Sequence, residues 1–206
     1  MATFMEEFRK RFRFFGYGEA GAKFSMSVED GGVVRMLPVH VLGKSFNFRV
    51  ETEEAFAALP SEGTMLLLRG VLKRRKNSVE GLTGELQELI TSGKPGWKAP
   101  TDTDFLSGLL FEGCGVVSRK MGGVYQGGEF RNIQVASLGC TLVFKRLEPS
   151  LFDQISEDAK AYFFGSLEPK VVSVGTFVTD ELVPSVELYR VFTEEKAKEK
   201  PSVPAA

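Results

Sequence analysis

The sequence predicts an all-β protein with short helices, arranged as two successive five-stranded barrels. Three observations carry this. Apolar and polar residues alternate with a period of two over much of the chain, as in half-buried strands. Glycine pairs punctuate the alternation where hairpin turns are needed. The chain also matches itself when shifted by 96 positions.

The self-match starts at Gly31. Gly31-Gly32 falls on Gly127-Gly128, Arg35 on Arg131, Val39 on Val135, Leu42-Gly43 on Leu138-Gly139, Phe48 on Phe144 and Phe56 on Phe152. That is eight identities over 26 positions, where unrelated sequences would give roughly two. After a one-residue deletion Gly70 meets Gly165 and Leu72 meets Leu167; upstream, Gly16-Tyr17-Gly18 meets Gly113-Cys114-Gly115. The expected organisation is an N-terminal arm (1–11), copy one (12–91), a linker (92–104), copy two (105–192) and a tail (193–206). The stretch from Thr91 to Asp104, TSGKPGWKAPTDTD, lacks apolar periodicity, and its one large residue, Trp97, suits docking on a domain face. The tail mixes Glu, Lys, Pro and Ala and suits a solvated segment.

Within copy one, the first strand runs from Phe14 to Val28 with Phe24, Met26 and Val28 alternating against Lys23, Ser25 and Ser27. Gly16 and Gly18 would let it bend. Leu37, Val39 and Val41 mark the second strand, and Phe46, Phe48 and Val50 the third. Thr52 to Leu59 breaks the alternation and reads as a short helix with a Thr N-cap. Thr64–Arg75 and Gly81–Ile90 are the fourth and fifth strands. Copy two repeats the helix at Glu148–Ile155, with Pro149 suited to its first turn. Val171–Val178 and Ser185–Phe192 are both strand-like, which leaves room for an extra strand.

Strand, strand, strand, short helix, strand, strand is an order that resembles the OB-fold, the oligonucleotide/oligosaccharide-binding barrel. The glycine-interrupted first strand, the Gly31-Gly32 turn, the helix at Thr52–Leu59 and the stretch from Pro60 to Gly70 carry the resemblance. A pair of SH3-like barrels or a single β-sandwich are the rival architectures. The resemblance implies tandem OB-like domains similar to single-stranded nucleic-acid-binding proteins. It also implies ligand binding across the outer face of strands two and three, flanked by the loops between strands one and two and between four and five.

Composition bounds the function. The chain has 206 residues, 43% of them apolar and 26% charged, with a formal net charge of −1. That excludes wholesale disorder, and no run approaches the ~20 apolar residues of a membrane helix. Cys114 and Cys140 are too few for a disulfide scaffold and are expected to be buried thiols. With no signal-like N-terminus, a cytoplasmic location is expected. One His, His40, and no CxxC make a metal site improbable. No GxSxG, HExxH or paired-carboxylate motif stands in a suitable context, so neither catalysis nor a cofactor is expected. Residues 1–94 hold 14 Lys/Arg against 12 Asp/Glu, and residues 95–206 hold 12 against 15, so copy one suits an anionic ligand better.

The candidate ligand residues are Phe15, Tyr17, Arg35, Arg49, Lys73, Arg74, Arg75, Lys76, Tyr125, Arg131 and Lys145. Lys73-Arg74-Arg75-Lys76 puts four cations where strand four enters its loop, and such a run would hold a phosphate backbone; it equally suits a charged strand edge. Phe8 to Phe15 interleaves rings and cations, which suits stacked bases and paired phosphates, or a core strand whose arginines face water. Ser45, Asn47, Arg49 and His40 in copy one, and Asn132, Gln134, Thr141 and Lys145 in copy two, would face outward and reach phosphates and base edges. They also fit a plain solvated face. By parity Arg35 and Arg131 share a face with core residues, so a structural ion pair with Glu competes with ligand contact. Tyr125 rides a glycine-rich loop suited to clasping a strand or to a plain flexible hairpin. The expected function is non-sequence-specific binding of single-stranded nucleic acid, DNA before RNA. The alternative is a protein-interaction or assembly module, with a protein partner or a second copy as ligand and no membrane contact.

Overall fold

A computed structural model describes residues 11–27, 31–74, 82–101, 108–137, 140–174 and 177–191. The alternating sequence becomes strands nearly throughout. In chain order these are β1 (Arg13–Ala20), β2 (Phe24–Ser27), β3 (Val33–Val41), β4 (Lys44–Val50), α1 (Glu53–Ala57), β5 (Met65–Arg74), β6 (Leu82–Thr91), β7 (Leu110–Tyr125), β8 (Gly128–Ser137), β9 (Cys140–Phe144), α2 (Pro149–Gln154), β10 (Lys160–Val174) and β11 (Phe177–Val191). Most of the predicted arm, the whole of the predicted tail, Val28, Arg75, Lys76 and Leu138-Gly139 lie outside the described residues.

The first six strands close on themselves. β1 pairs with β3 and β5, β2 with β3, β3 with β4, and β5 with β6, all antiparallel. A parallel contact between Arg49 of β4 and Glu85 of β6 completes the ring. β7 to β11 follow the same order, with β7 against β8 and β10, β8 against β9, and β10 against β11. Inner-face Leu37, Val39, Phe46 and Phe48 and their counterparts Ile133, Val135, Leu142 and Phe144 are buried.

Positions 96 or 97 apart repeat particular contacts. Phe14 stacks on Phe48 at 5.3 Å, and Phe111 on Phe144 at 5.6 Å. Lys23 sits over the Phe56 ring at 5.3 Å, and Lys120 over Phe152 at 4.3 Å. A Cβ on Gly18 would strike Val39 Cγ1, and one on Gly115 would strike Val135 Cγ1, so strand one can cross its neighbour closely only as glycine. Strand four bulges just before Gly70 and again just before Gly165, where a Cβ would collide with the carbonyl oxygens of Glu85 and Ser185. Gly31 and Gly127 turn their hairpins with φ of 79° and 77°.

The two strand sets are joined by sheet. β1 pairs antiparallel with β7 through Arg13↔Glu112, Phe14↔Phe111 and Phe15↔Leu110, so two residues 97 apart face each other at the centre of the seam. Phe12 crosses that seam. Its carbonyl accepts from Leu72 N at 2.8 Å, while its ring packs among Phe111, Phe144 and Phe163, with centroids 5.7 to 6.2 Å away. One apolar core therefore runs through both halves.

Three expectations change. The first strand is not continuous from Phe14 to Val28; residues 21–23 interrupt it. Ala20 opposes Val39 but Phe24 opposes Met36, so strand one spends four steps where β3 spends three. The extra residue turns alternation inside out. Phe24 consequently lies on the outer face, 38% exposed, instead of in the core. Nor is there an extra strand among the described residues: residues 171–174 extend β10 and 177–178 open β11 within one ladder.

The short helix of copy one forms as read. Thr52 accepts from Ala55 N at 3.1 Å through its side chain. Lys23 donates to the carbonyls of Phe56, Ala57 and Leu59 at 3.0, 3.2 and 3.4 Å, satisfying the helix C-terminus.

Candidate nucleic-acid interface

Side-chain reversal at β2 creates an outer surface across β2, β3 and β4. Its rungs are Phe24↔Met36↔Arg49, Met26↔Val34, Pro38↔Asn47 and His40↔Ser45. Arg49, His40 and Ser45 are exposed; Met26, Val34, Met36, Pro38 and Asn47 are half-buried. An exposed ring beside a thioether and a guanidinium offers both a stacking surface and a phosphate contact. Sequence reading found Arg49, Asn47, Ser45 and His40 here but missed Phe24 and Met36. The signal that could have found them is the break Gly21-Ala22-Lys23, which inserts one residue into an otherwise regular alternation.

Lys73 and Arg74 end β5 beside this surface. Lys73 Nζ is ion-paired with Glu85 Oε2, and Glu85 is the residue whose backbone opposes Arg49. Arg74 is exposed and engaged with other groups. Arg75 and Lys76, the rest of the cation run, fall outside the described residues.

Phe15 and Tyr17 stand elsewhere. They are half-buried on the outer surface of β1 and line a cleft of about 600 Å³ at the seam with β7, together with Arg13, Arg69, Lys98 and Glu112. The Tyr17 hydroxyl donates to the Lys98 carbonyl at 3.2 Å, and its ring meets Trp97 edge-on at 5.9 Å. The linker thus docks through Trp97, and Tyr17 is its anchor. Across the seam, the Tyr162 hydroxyl donates to Glu112 at 2.7 Å. Burial, then the hydrogen bond and charge of Glu112, push the Tyr162 phenol well above its ordinary range.

The paired arginines each engage a glutamate. Arg35 Nε donates to Glu53 Oε2 at 2.7 Å, with a second ion-pair contact from its NH2, tying β3 to α1. Arg131 is ion-paired with Glu129 on its own strand. Arg131 also borders a cleft of about 530 Å³ under the β7–β8 hairpin, where Lys120, Phe130 and Phe152 meet Glu129, Asp153 and Glu157.

Tyr125 sits at the tip of that hairpin, 70% exposed, before a two-residue turn in which Gln126 and Gly127 both have positive φ. Copy two's outer face carries Met121↔Asn132, Arg119↔Gln134 and Ala136↔Thr141, with Lys145 exposed just beyond β9. Asn132 Oδ1 accepts from Arg146 N at 3.2 Å. Thr141 and Lys145 are likewise engaged. Cys114 is a buried free thiol; the Cys140 side chain lies outside the described ones. Among the described residues no three His, Cys, Asp or Glu side chains group as metal ligands, and no helix is long and apolar enough to cross a membrane.

No family model and no curated protein sequence matches this chain. Solved structures do. The wild-type single-stranded DNA binding protein from Thermus aquaticus superposes with a TM-score of 0.55 at 10% identity, covering 89% of this chain and 93% of that one. A deletion mutant of the same protein gives 0.56 at 10% identity, covering 90% and 95%. The likeness spans nearly the whole of both chains, and the fold of this protein is all-β and OB-like, of the kind seen in that single-stranded DNA binding protein.

Proposed function

We propose that this chain binds single-stranded nucleic acid without reading its sequence, with DNA preferred to RNA and copy one leading. The observation that carries this reading is the rung Phe24–Met36–Arg49 on the outer face of β2–β4, continued by Lys73 and Arg74 at the end of β5. Apolar side chains there offer sequence-tolerant stacking, and the cations offer phosphate contacts. The similarity to a protein named for single-stranded DNA binding supports the choice of DNA. Arg75 and Lys76 extend the same cation run in sequence. Arg35 and Arg131 are assigned to their ion pairs. Phe15 and Tyr17 are assigned to the seam.

We also propose that the chain is an internal duplication, with copies at about 12–91 and 105–192 joined by 92–104. Repetition of the stacked phenylalanines, the lysine-over-ring contacts and the strand-four bulges at positions 95 to 97 apart supports it. A second reading, a protein partner or a second copy docking on copy two, is favoured by the exposed Val124-Tyr125 tip beside an acid-rimmed cleft. A cytoplasmic setting suits the free Cys114 thiol.

The test is a titration of fluorescently labelled oligo-dT across salt concentrations. Binding at low salt that weakens steeply as salt rises is expected. Absence of binding at low salt would overturn the nucleic-acid reading.

A further inference from the structure

We infer that Glu85 is an affinity-limiting counterweight: its carboxylate occupies Lys73, and a ligand phosphate must displace it. This rests on the nucleic-acid reading above and adds a residue that tunes that surface. Three observations carry it. Lys73 and Glu85 form an ion pair with side chains 39% and 27% exposed, so it is neither freely hydrated nor sealed off. Glu85 also opposes Arg49 across the parallel seam that closes the first barrel, which sets one carboxylate between two cations of the same surface. Copy two does not repeat the device. Three residues beyond the bulge glycine, where copy one has Lys73, copy two has Glu168, and Glu168 is paired with Lys44 of copy one.

A carboxylate in that position has two consequences. Any phosphate that takes Lys73 must break an existing pair, so the contact adds less affinity than a free lysine would. The ionic balance shifts as well. Each neutralised phosphate of a single strand releases about 0.7 counterion, but a freed Glu85 attracts a cation from solution. Lys73 therefore adds little to the salt slope while Glu85 is charged. The carboxylate keeps binding readily reversible without removing the lysine.

Glu85→Gln tests this, because it removes the charge and keeps the size. Labelled oligo-dT should bind roughly three- to fivefold tighter, matching the ~1 kcal/mol scale of such a pair, with a salt slope steeper by up to about 0.7. Lys73→Ala should cost little in the wild-type background and clearly more in the Glu85→Gln background. Wild-type affinity and slope in folded Glu85→Gln would overturn the counterweight and leave the nucleic-acid reading standing. Failure of the wild-type protein itself to bind would overturn both. Should Glu85→Gln not fold, Glu85→Ala gives an independent answer: tighter binding with a steeper salt slope is expected, and wild-type affinity and slope in the folded protein would overturn the inference.

Discussion

The N-terminal strand set, β1–β6, and the C-terminal one, β7–β11, the two proposed copies, build the same wall and furnish it differently. Both stack a strand-one phenylalanine on a strand-three phenylalanine, both hold a lysine over the helix ring, and both bulge strand four just before a glycine. Their surfaces diverge. The outer rung Phe24–Met36 of copy one becomes Met121–Asn132 in copy two. Lys73, near the end of β5, has Glu168 as its counterpart, and Glu168 reaches back to Lys44. Strand one of copy two runs unbroken for 16 residues into a projecting hairpin, where copy one breaks at residues 21–23. Contacts that define the barrel recur because they are steric. Surface residues are free to differ, so one copy can grip while the other docks.

The comparison breaks first at the seam. Phe12→Ala should destabilise the protein by about 3–5 kcal/mol, the usual cost of emptying a phenylalanine site. The loss should loosen copy two as much as copy one, because the ring lies among Phe111, Phe144 and Phe163. Hydrogen exchange that quickens in β1 and β5 while β7 and β10 stay protected would mean the halves are stable separately. Next come the bulge glycines. Gly70→Ala and Gly165→Ala should each cost about 1–3 kcal/mol or more in a denaturant melt, since each Cβ meets a backbone carbonyl. A large cost at one site only would deny their equivalence.

A third effect is on pH dependence. Tyr162 is pushed above its ordinary range in the folded protein, so its folded value exceeds its unfolded one. Its contribution is fully present below about pH 10, the unfolded phenol value, and is lost as pH rises beyond that. Tyr162→Phe should flatten the alkaline fall in stability. In a native-state absorbance titration, Tyr162 and Tyr189, both raised by burial, should ionise above the ordinary phenol range. The smallest effect belongs to Lys44–Glu168, whose side chains are each 47% exposed. A double-mutant cycle should return ~0–1 kcal/mol.

Sequence alternation was enough to find most of the strands, the turn at Gly31 and the Thr52 cap, because each depends on neighbours a few residues away. It misplaced Phe24, because one inserted residue at 21–23 reverses the facing of β2 and leaves its alternating pattern intact. It could rank Arg35 no higher than ambiguous, since Glu53, 18 residues away, becomes its neighbour only through the fold; for Arg131 the partner Glu129 lies two residues off on the same strand, within reach of sequence reading. Tyr17 holds Trp97 and Lys98, contacts between residues 80 and 81 apart in which nothing local points to the partner. Glu85 drew no attention because its meaning comes from Lys73 and Arg49 on two other strands.

The central claim is that copy one's outer face grips the strand. The most direct measurement compares two paired variants against labelled oligo-dT at fixed salt, each checked for an unchanged melt. Phe24→Ala/Arg49→Ala empties the copy-one rung, and Met121→Ala/Lys145→Ala empties the matching place in copy two. Loss of a stacking ring costs about 1–3 kcal/mol, so the first pair should weaken binding roughly tenfold or more and lower the salt slope by about one. The second pair should bind within about threefold of wild type. Equal losses from the two pairs, or wild-type binding by a folded Phe24→Ala/Arg49→Ala protein, would contradict the account.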